Sequence, residues 1–222
     1  MLSATGLGKQ YRCGAGIQTI FSGLTFHIDR GEIVALVGAS GSGKTTLLNL
    51  LSGIDTPDEG AVMIDGVDIH ARGEPHRTLL RREALGFVFQ FFNLIPTLTV
   101  AENVALPMQL IGAQPRLIET RVAALLERVG LPQMQQRYPE TLSGGVQQRT
   151  AIARALSHSP RIRLADEPTG NLDEQTGEAI IALLTAMARA EKTTMLIVTH
   201  SSAVARAADR VLSLQHGLLR QL

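Results

Sequence analysis

From Glu32 the chain runs Ile33, Val34, Ala35, Leu36, Val37 without a polar break, the pattern of a strand covered on both faces. A glycine-rich interval follows, and Lys44 to Gly53 then reads as a helix. Leu24–Asp29 ahead of Gly31 and, downstream of that helix, the stretch Val62–Ile69 folded about Asp65-Gly66 read as short antiparallel strands, the Asp-Gly pair being a strong hairpin signal. Between Leu98 and His158 strand character gives way to helical spacing, most plainly at Leu117–Val129, which Pro115 precedes and Gly130 ends. Strands return at Ile162–Ala165 and Met195–Thr199 with a helix, Glu174–Arg189, between them, which resumes a parallel βαβ core. Together these elements predict one α/β domain over residues 1–222. Its mixed sheet core, with an antiparallel β subdomain, takes residues of about 1–90 and 160–222, and an inserted α-helical subdomain takes about 91–159.

Composition then narrows the classes. Of the 222 residues, 45% are hydrophobic and 18% charged, which excludes a disordered or fibrous chain. With 21 Lys and Arg against 20 Asp and Glu the net charge is +1, too little to hold a nucleic-acid backbone by counterion release, so no nucleic-acid partner is expected. Mean hydropathy is +0.12. Every apolar run is nonetheless broken well short of the roughly 18 residues of a spanning helix. The lone cysteine, Cys13, has no internal disulfide partner, and Met1–Lys9 lacks the layout of a secretory signal, so a reduced, cytoplasmic protein is expected.

The chemistry begins where the buried strand meets its helix. Gly38, Ala39, Ser40, Gly41, Ser42, Gly43, Lys44 and Thr45, followed by Thr46, satisfy the phosphate-binding loop pattern in the required strand–loop–helix context. The glycines let backbone N–H groups close around phosphate oxygens, and the helix N-terminus adds partial positive charge. Lys44 is suited to bridge β and γ phosphates, and Thr45 to ligate Mg2+. Asp166 and Glu167 end the strand Ile162–Ala165 at the edge where open parallel sheets bind ligands. Asp166 suits a Mg2+ partner and Glu167 can take a proton from attacking water. By themselves the two carboxylates read equally well as a solvated turn; beside the loop the catalytic reading dominates.

The order of further motifs carries a resemblance. Leu142-Ser143-Gly144-Gly145-Val146-Gln147-Gln148-Arg149 resembles the signature of ATP-binding cassette (ABC) ATPases, and it falls between Gln90 and the Asp166-Glu167 pair as in that family. Tyr11 matches the adenine-stacking aromatic, Asn171-Leu172-Asp173 the D-loop and His200 the switch histidine, so the resemblance covers nearly the whole chain. Alone, Tyr11 is equally a core or surface tyrosine, Ser143 an ordinary helix cap, His200 a surface residue at a strand end, and Gln90 carries no signal. The resemblance implies the P-loop NTPase fold of ABC ATPases, with ATP and Mg2+ as ligands. It implies catalytic roles for Glu167, His200, Gln90 and Lys44, metal contacts from Thr45, Gln90 and Asp166, and nucleotide contacts from Tyr11, residues 38–46, Ser143, Gly144, Gly145 and Asp173.

In this family the Ser143-Gly144-Gly145 segment touches a nucleotide held by another subunit, so the resemblance implies a homodimer with two ATP molecules sandwiched between protomers and Asp173 at the interface. The wording of Phe87–Gly112, with Asn103-Val104-Ala105-Leu106-Pro107, and of Ala165–Asp173 is similar to the subgroup serving lipoprotein release, macrolide efflux and cell division. That implies a membrane permease partner docking near Gln90, Phe91, Phe92 and Leu94, and a place on the inner face of the cell membrane. Phe87 and Phe89 alternate on a strand and are expected in the core. Three departures stand out: Val146 in place of a polar residue, Arg163 within an apolar strand with its head expected to reach water, and Ser201 where an aspartate often follows the histidine. The alternatives are a soluble ABC ATPase acting on ribosome or DNA, and a nucleotide sensor without hydrolysis.

Overall fold

The computed structural model describes residues 1–14, 16–71 and 73–222, with the side chains of Cys13, Ser202 and Ala203 outside that description. Strands β1 (Leu2–Cys13), β2 (Gly16–Ile28), β4 (Glu59–Ile64) and β5 (Val67–Asp68) form an antiparallel sheet in the order β2-β1-β4-β5. Strands β3 (Ile33–Val37), β6 (Leu85–Val88), β7 (Ile162–Asp166), β8 (Thr194–Val198), β9 (Arg210–Gln215) and β10 (Leu218–Gln221) form the second sheet, ordered β10-β9-β3-β8-β7-β6. Its pairs are parallel except the terminal β9–β10 hairpin.

The continuous apolar strands do what their pattern predicts, because both faces of the second sheet are covered. Val34, Leu36, Leu164, Leu196 and Val198 pack with the first sheet and with helix α1 (Lys44–Leu51). Ile33, Ala35, Ala165 and Ile197 pack on the opposite side against α6 (Glu174–Glu191) and the helices between β6 and β7. Those helices are α3 (Val100–Leu110), α4 (Pro115–Arg128) and α5 (Gly144–Leu156). Pro115 stands in the first turn of α4, and Thr99 and Glu102 close a capping box on α3, each side chain bonding the other residue's N–H.

Among the described residues, β1, the helix α2 (His76–Ala84), the short helix α7 (Ser202–Ala207) and both strands of the β9–β10 hairpin were not predicted. The alternation of β1 is broken by register shifts around Gly6 and Gly8. At Gly60 an added Cβ would lie 2.5 Å from the Gly6 oxygen, so this close approach of β4 to β1 requires glycine. The terminal hairpin turns at His216-Gly217, both with positive φ (50° and 74°), a less common pairing than Asn-Gly for the same geometry.

Arg163 corrects its expectation. Its head does not reach water: the residue is 1% exposed and its guanidinium pairs with Glu191 at the end of α6. Glu191 also receives Arg128 at 2.6 Å and Arg121 at 3.4 Å, both from α4. One carboxylate thus joins β7, α6 and α4 and gives the buried guanidinium its counter-charge, while Arg163 Nε and Nη1 stay buried without a hydrogen-bond partner.

Candidate functional site

The loop from Gly38 to Gly43 turns β3 into α1 over the C-terminal edge of the parallel strands. Gly43 caps α1 at φ 97°, and a Cβ there would lie 2.5 Å from Ile20 Cγ2, so only glycine fits. The Lys44 ammonium donates to the carbonyls of Gly38 (2.8 Å) and Ala39 (3.0 Å), which folds it along the inside of the loop. Across the sheet edge, the Thr45 hydroxyl donates to Asp166 Oδ2 at 3.0 Å. A cleft of about 740 Å³ joins these residues to Ser40, Gly41, Thr46, Gln90, Glu167 and His200. Residues far apart in sequence therefore share one wall-to-wall space, at the strand edge where ligands of open α/β sheets bind.

Glu167 sits just past the end of β7 with φ 44°, a left-handed conformation for a residue with a side chain. Its N–H donates to Val198 O (2.9 Å) and its carbonyl accepts from Gly170 N–H (3.0 Å), closing a tight turn. Its Oε1 lies 2.9 Å from His200 Nε2, which is itself 3.4 Å from the Lys44 ammonium. Burial pushes the Glu167 carboxyl above its ordinary range, against the pull of His200 and Lys44, and raises Asp166 likewise against the Thr45 hydrogen bond and Lys44. Burial lowers Lys44, while Glu167 and Asp166 draw it back up. A cation, two carboxylates and a histidine in one cleft can bind a polyphosphate and handle the proton of a water.

The remaining expected residues fall elsewhere. Gln90 lines the cleft, with its Nε2 packed so that a Cβ on Gly170 would come within 2.8 Å, and its carbonyl accepts from Asn171 Nδ2 at 2.8 Å. Tyr11 does not line the cleft; its hydroxyl donates to Asp55 (2.7 Å), and the Lys9 ammonium stands 5.0 Å from its ring centre. Ser143, Gly144 and Gly145 also lie outside this cleft. They open α5, where Ser143 occupies the capping position yet makes no capping bond, so an ordinary cap is not its role here. Asp173 caps α6 by accepting from Thr176 N–H at 2.9 Å. Val146 packs against the core beneath α5, and Ser201 lines the cleft beside His200.

The phenylalanines near Gln90 divide only partly as expected, with Phe87 packed against the core. Phe87 and Phe89 are half-buried, their rings stacked at 5.3 Å, and with Leu106, Pro107 and Leu110 they wall a groove of about 310 Å³. Phe91 is 70% exposed, whereas Phe92 turns in toward Gly144, where a Cβ would lie 3.6 Å from its ring. Two supporting residues have structural roles that the sequence did not show. Asn103, fully buried, donates to Ile95 and Leu98 carbonyls and accepts from Ile95 N–H. Arg154 of α5 donates to the carbonyls of Phe92 (2.8 Å) and Asn93 (2.5 Å), both residues with positive φ. Their partners are backbone carbonyls of a distant loop, which only the fold reveals.

The profile of the ABC transporter family matches residues 21–170, the stretch from β2 through the Asp166-Glu167 turn. The chain belongs to the ABC transporter family. It is an ATP-binding, ATP-hydrolysing subunit. This ABC subunit is 49% identical over 221 residues to the lipoprotein-releasing system ATP-binding protein LolD of Pseudomonas syringae, covering 99% of this chain and 96% of the relative. It is 47% identical over 219 residues to an uncharacterised ABC transporter ATP-binding protein of Mycobacterium tuberculosis, covering 99% of this chain and 88% of that one. Its fold superposes with a TM-score of 0.91 and 38% identity on the dimeric post-hydrolysis ATP-binding cassette MJ0796 bound to ADP and phosphate, covering 100% and 99% of the two chains. Among the described residues no helix is long and apolar enough to cross a membrane.

Proposed function

We propose that this ABC subunit works as a homodimer that closes on two ATP molecules, and that closure drives a membrane permease of the lipoprotein-releasing kind from the inner face of the membrane. The observation that carries the reading is the start of α5. Ser143 is exposed and uncapped at a helix N-terminus, a ready anion site, yet it stands outside its own chain's nucleotide cleft. A second protomer related by a two-fold axis places that anion site over the first protomer's cleft, completing both sites at once. The dimeric cassette at 38% identity supports the same arrangement. Turnover per molecule is therefore expected to rise with protein concentration until dimers saturate. A rate per molecule that stays constant at dilutions where light scattering finds only monomers would refute the dimer.

Within each site, loop N–H groups and Lys44 take the phosphates, and Tyr11 supplies a face for the adenine. The donor set fits a hard cation: Thr45 hydroxyl and Asp166 carboxylate already meet at 3.0 Å, with Gln90 across the same cleft. Those three residues would hold Mg2+, which when bound neutralises phosphate charge. Glu167 takes the proton of the attacking water, His200 donates to the γ-phosphate, and Asp173 lies at the subunit contact. Phosphoryl transfer passes through a loose transition state, so positioning and charge stabilisation supply most of the rate.

Glu167 must be ionised to act, and burial raises its pKa, so turnover should fall as the pH drops through a value above the usual glutamate value of about 4.3. A kcat profile flat down to that value would contradict the assignment.

For the permease, the support is the groove walled by Phe87, Phe89, Leu106, Pro107 and Leu110, flanked by exposed Phe91. We place the docking helix in this groove, shifted from Phe92, which faces α5. The helices of residues 91–159 then form the lobe that carries nucleotide-driven motion to it.

A further inference from the structure

Helix α5, whose start at Ser143 is read above as the contact to the second nucleotide, reaches back into its own chain at Gln148. That residue is 0% exposed, and its Nε2 donates to the carbonyl of Pro168 at 2.5 Å. Its Oε1 has no partner, so the side chain is held by this one bond alone. A buried amide oxygen without a donor lowers stability; an apolar side chain of the same length would avoid that loss only by leaving the Pro168 carbonyl without its donor. The bond to Pro168 is therefore what the glutamine contributes here.

Pro168 directly follows Glu167. Having no N–H, proline offers only its carbonyl to the backbone network, and that carbonyl is the atom Gln148 holds. The Glu167 end of the turn is fixed by Val198 and Gly170 through Glu167's own N–H and carbonyl. The next peptide therefore takes its hold from α5. The start of α5 is meanwhile wedged against α6, where a Cβ on Gly145 would come within 2.9 Å of Thr176 Cγ2. A shift of α5 cannot be absorbed at that contact without passing along the helix.

We propose that Gln148 is a positioning residue for hydrolysis: it holds the Pro168 carbonyl, fixes the left-handed turn that aims Glu167 into the cleft, and so links the helix beginning at Ser143 to the carboxylate of the same chain. In the dimer each protomer's grip on its neighbour's nucleotide then adjusts its own Glu167. This inference rests on the reading of Glu167 as the residue that takes the proton from water.

The test uses Gln148→Met, near in length, and Gln148→Leu, neither of which carries a hydrogen-bond donor in any protonation state. For both, kcat for ATP should fall roughly ten- to a hundredfold, while KM and ATP-dependent dimer formation change by less than about twofold. Glu167→Gln is run alongside. If Glu167→Gln loses turnover and both Gln148 variants keep wild-type kcat, the linkage is overturned while the role of Glu167 stands. If Glu167→Gln turns over normally, the reading of Glu167 fails whatever Gln148 does. Loss of ATP binding or of the folded state in both Gln148 variants would make the residue a packing element and also overturn the proposal.

Discussion

Glu167→Gln is expected to cut ATP turnover by roughly 10²–10⁴-fold, the usual contribution of a positioned general base, while ATP binding and nucleotide-driven dimerisation persist. ATP-bound closed dimers should accumulate, because the step that opens them is lost. The substitution keeps the size of the side chain and its place beside His200, so geometry survives and only proton uptake is removed. Stability provides an internal control. The folded-state pKa of Glu167 lies above its unfolded value, so its contribution favours the fold at low pH and is lost as the pH rises through the interval between the two. At neutral pH the buried carboxylate therefore opposes folding, and the neutral amide should melt at the same temperature as wild type or higher. Unchanged steady-state turnover in this variant would remove Glu167 from the reaction.

Lys44→Ala acts one step earlier, on nucleotide affinity. Its ammonium lies along the inside of the loop with two carbonyl partners, and a hydrogen bond to a charged phosphate is worth about 1.5–3 kcal/mol, so losing it should weaken ATP binding by roughly ten- to a hundredfold. Titration of a fluorescent ATP analogue measures this directly, with thermal unfolding to confirm that the loop glycines still hold their turn. The two variants separate binding from chemistry: one binds without turning over, the other binds poorly. Undiminished affinity in Lys44→Ala would withdraw its assigned role.

Much of this site was legible because backbone geometry restricts the residues that can build it. Gly43 at φ 97° and the strand–loop–helix passage leave few sequences able to cradle phosphate, so residues 38–45 announce themselves. The parallel core was equally plain, since β3, β7 and β8 are mostly apolar and, Asp166 and Val37 apart, buried on both faces. The sequence could not reveal contacts whose partners are backbone carbonyls, as with Gln148, Asn103 and Arg154. Nor could it place the head of Arg163, because Glu191 stands 28 positions away and only the packing of α6 on β7 brings them together. β1 was hidden for a related reason: its bulges break the alternation that marks a strand. Ser143 is in its expected place in sequence, yet it stands outside the cleft of its own chain, a fact that changes the question from one subunit to two.

That question has a direct test. Lys44→Ala chains lack a working loop, and chains carrying Ser143→Arg, at an exposed residue that makes no capping bond, lack a working contact to the neighbour's nucleotide. Each should be nearly inactive alone. Mixed in equal amounts, they should recover up to about a quarter of the wild-type rate, because half of randomly paired dimers contain one intact site of two. A mixture no more active than its two components would contradict a site shared between protomers.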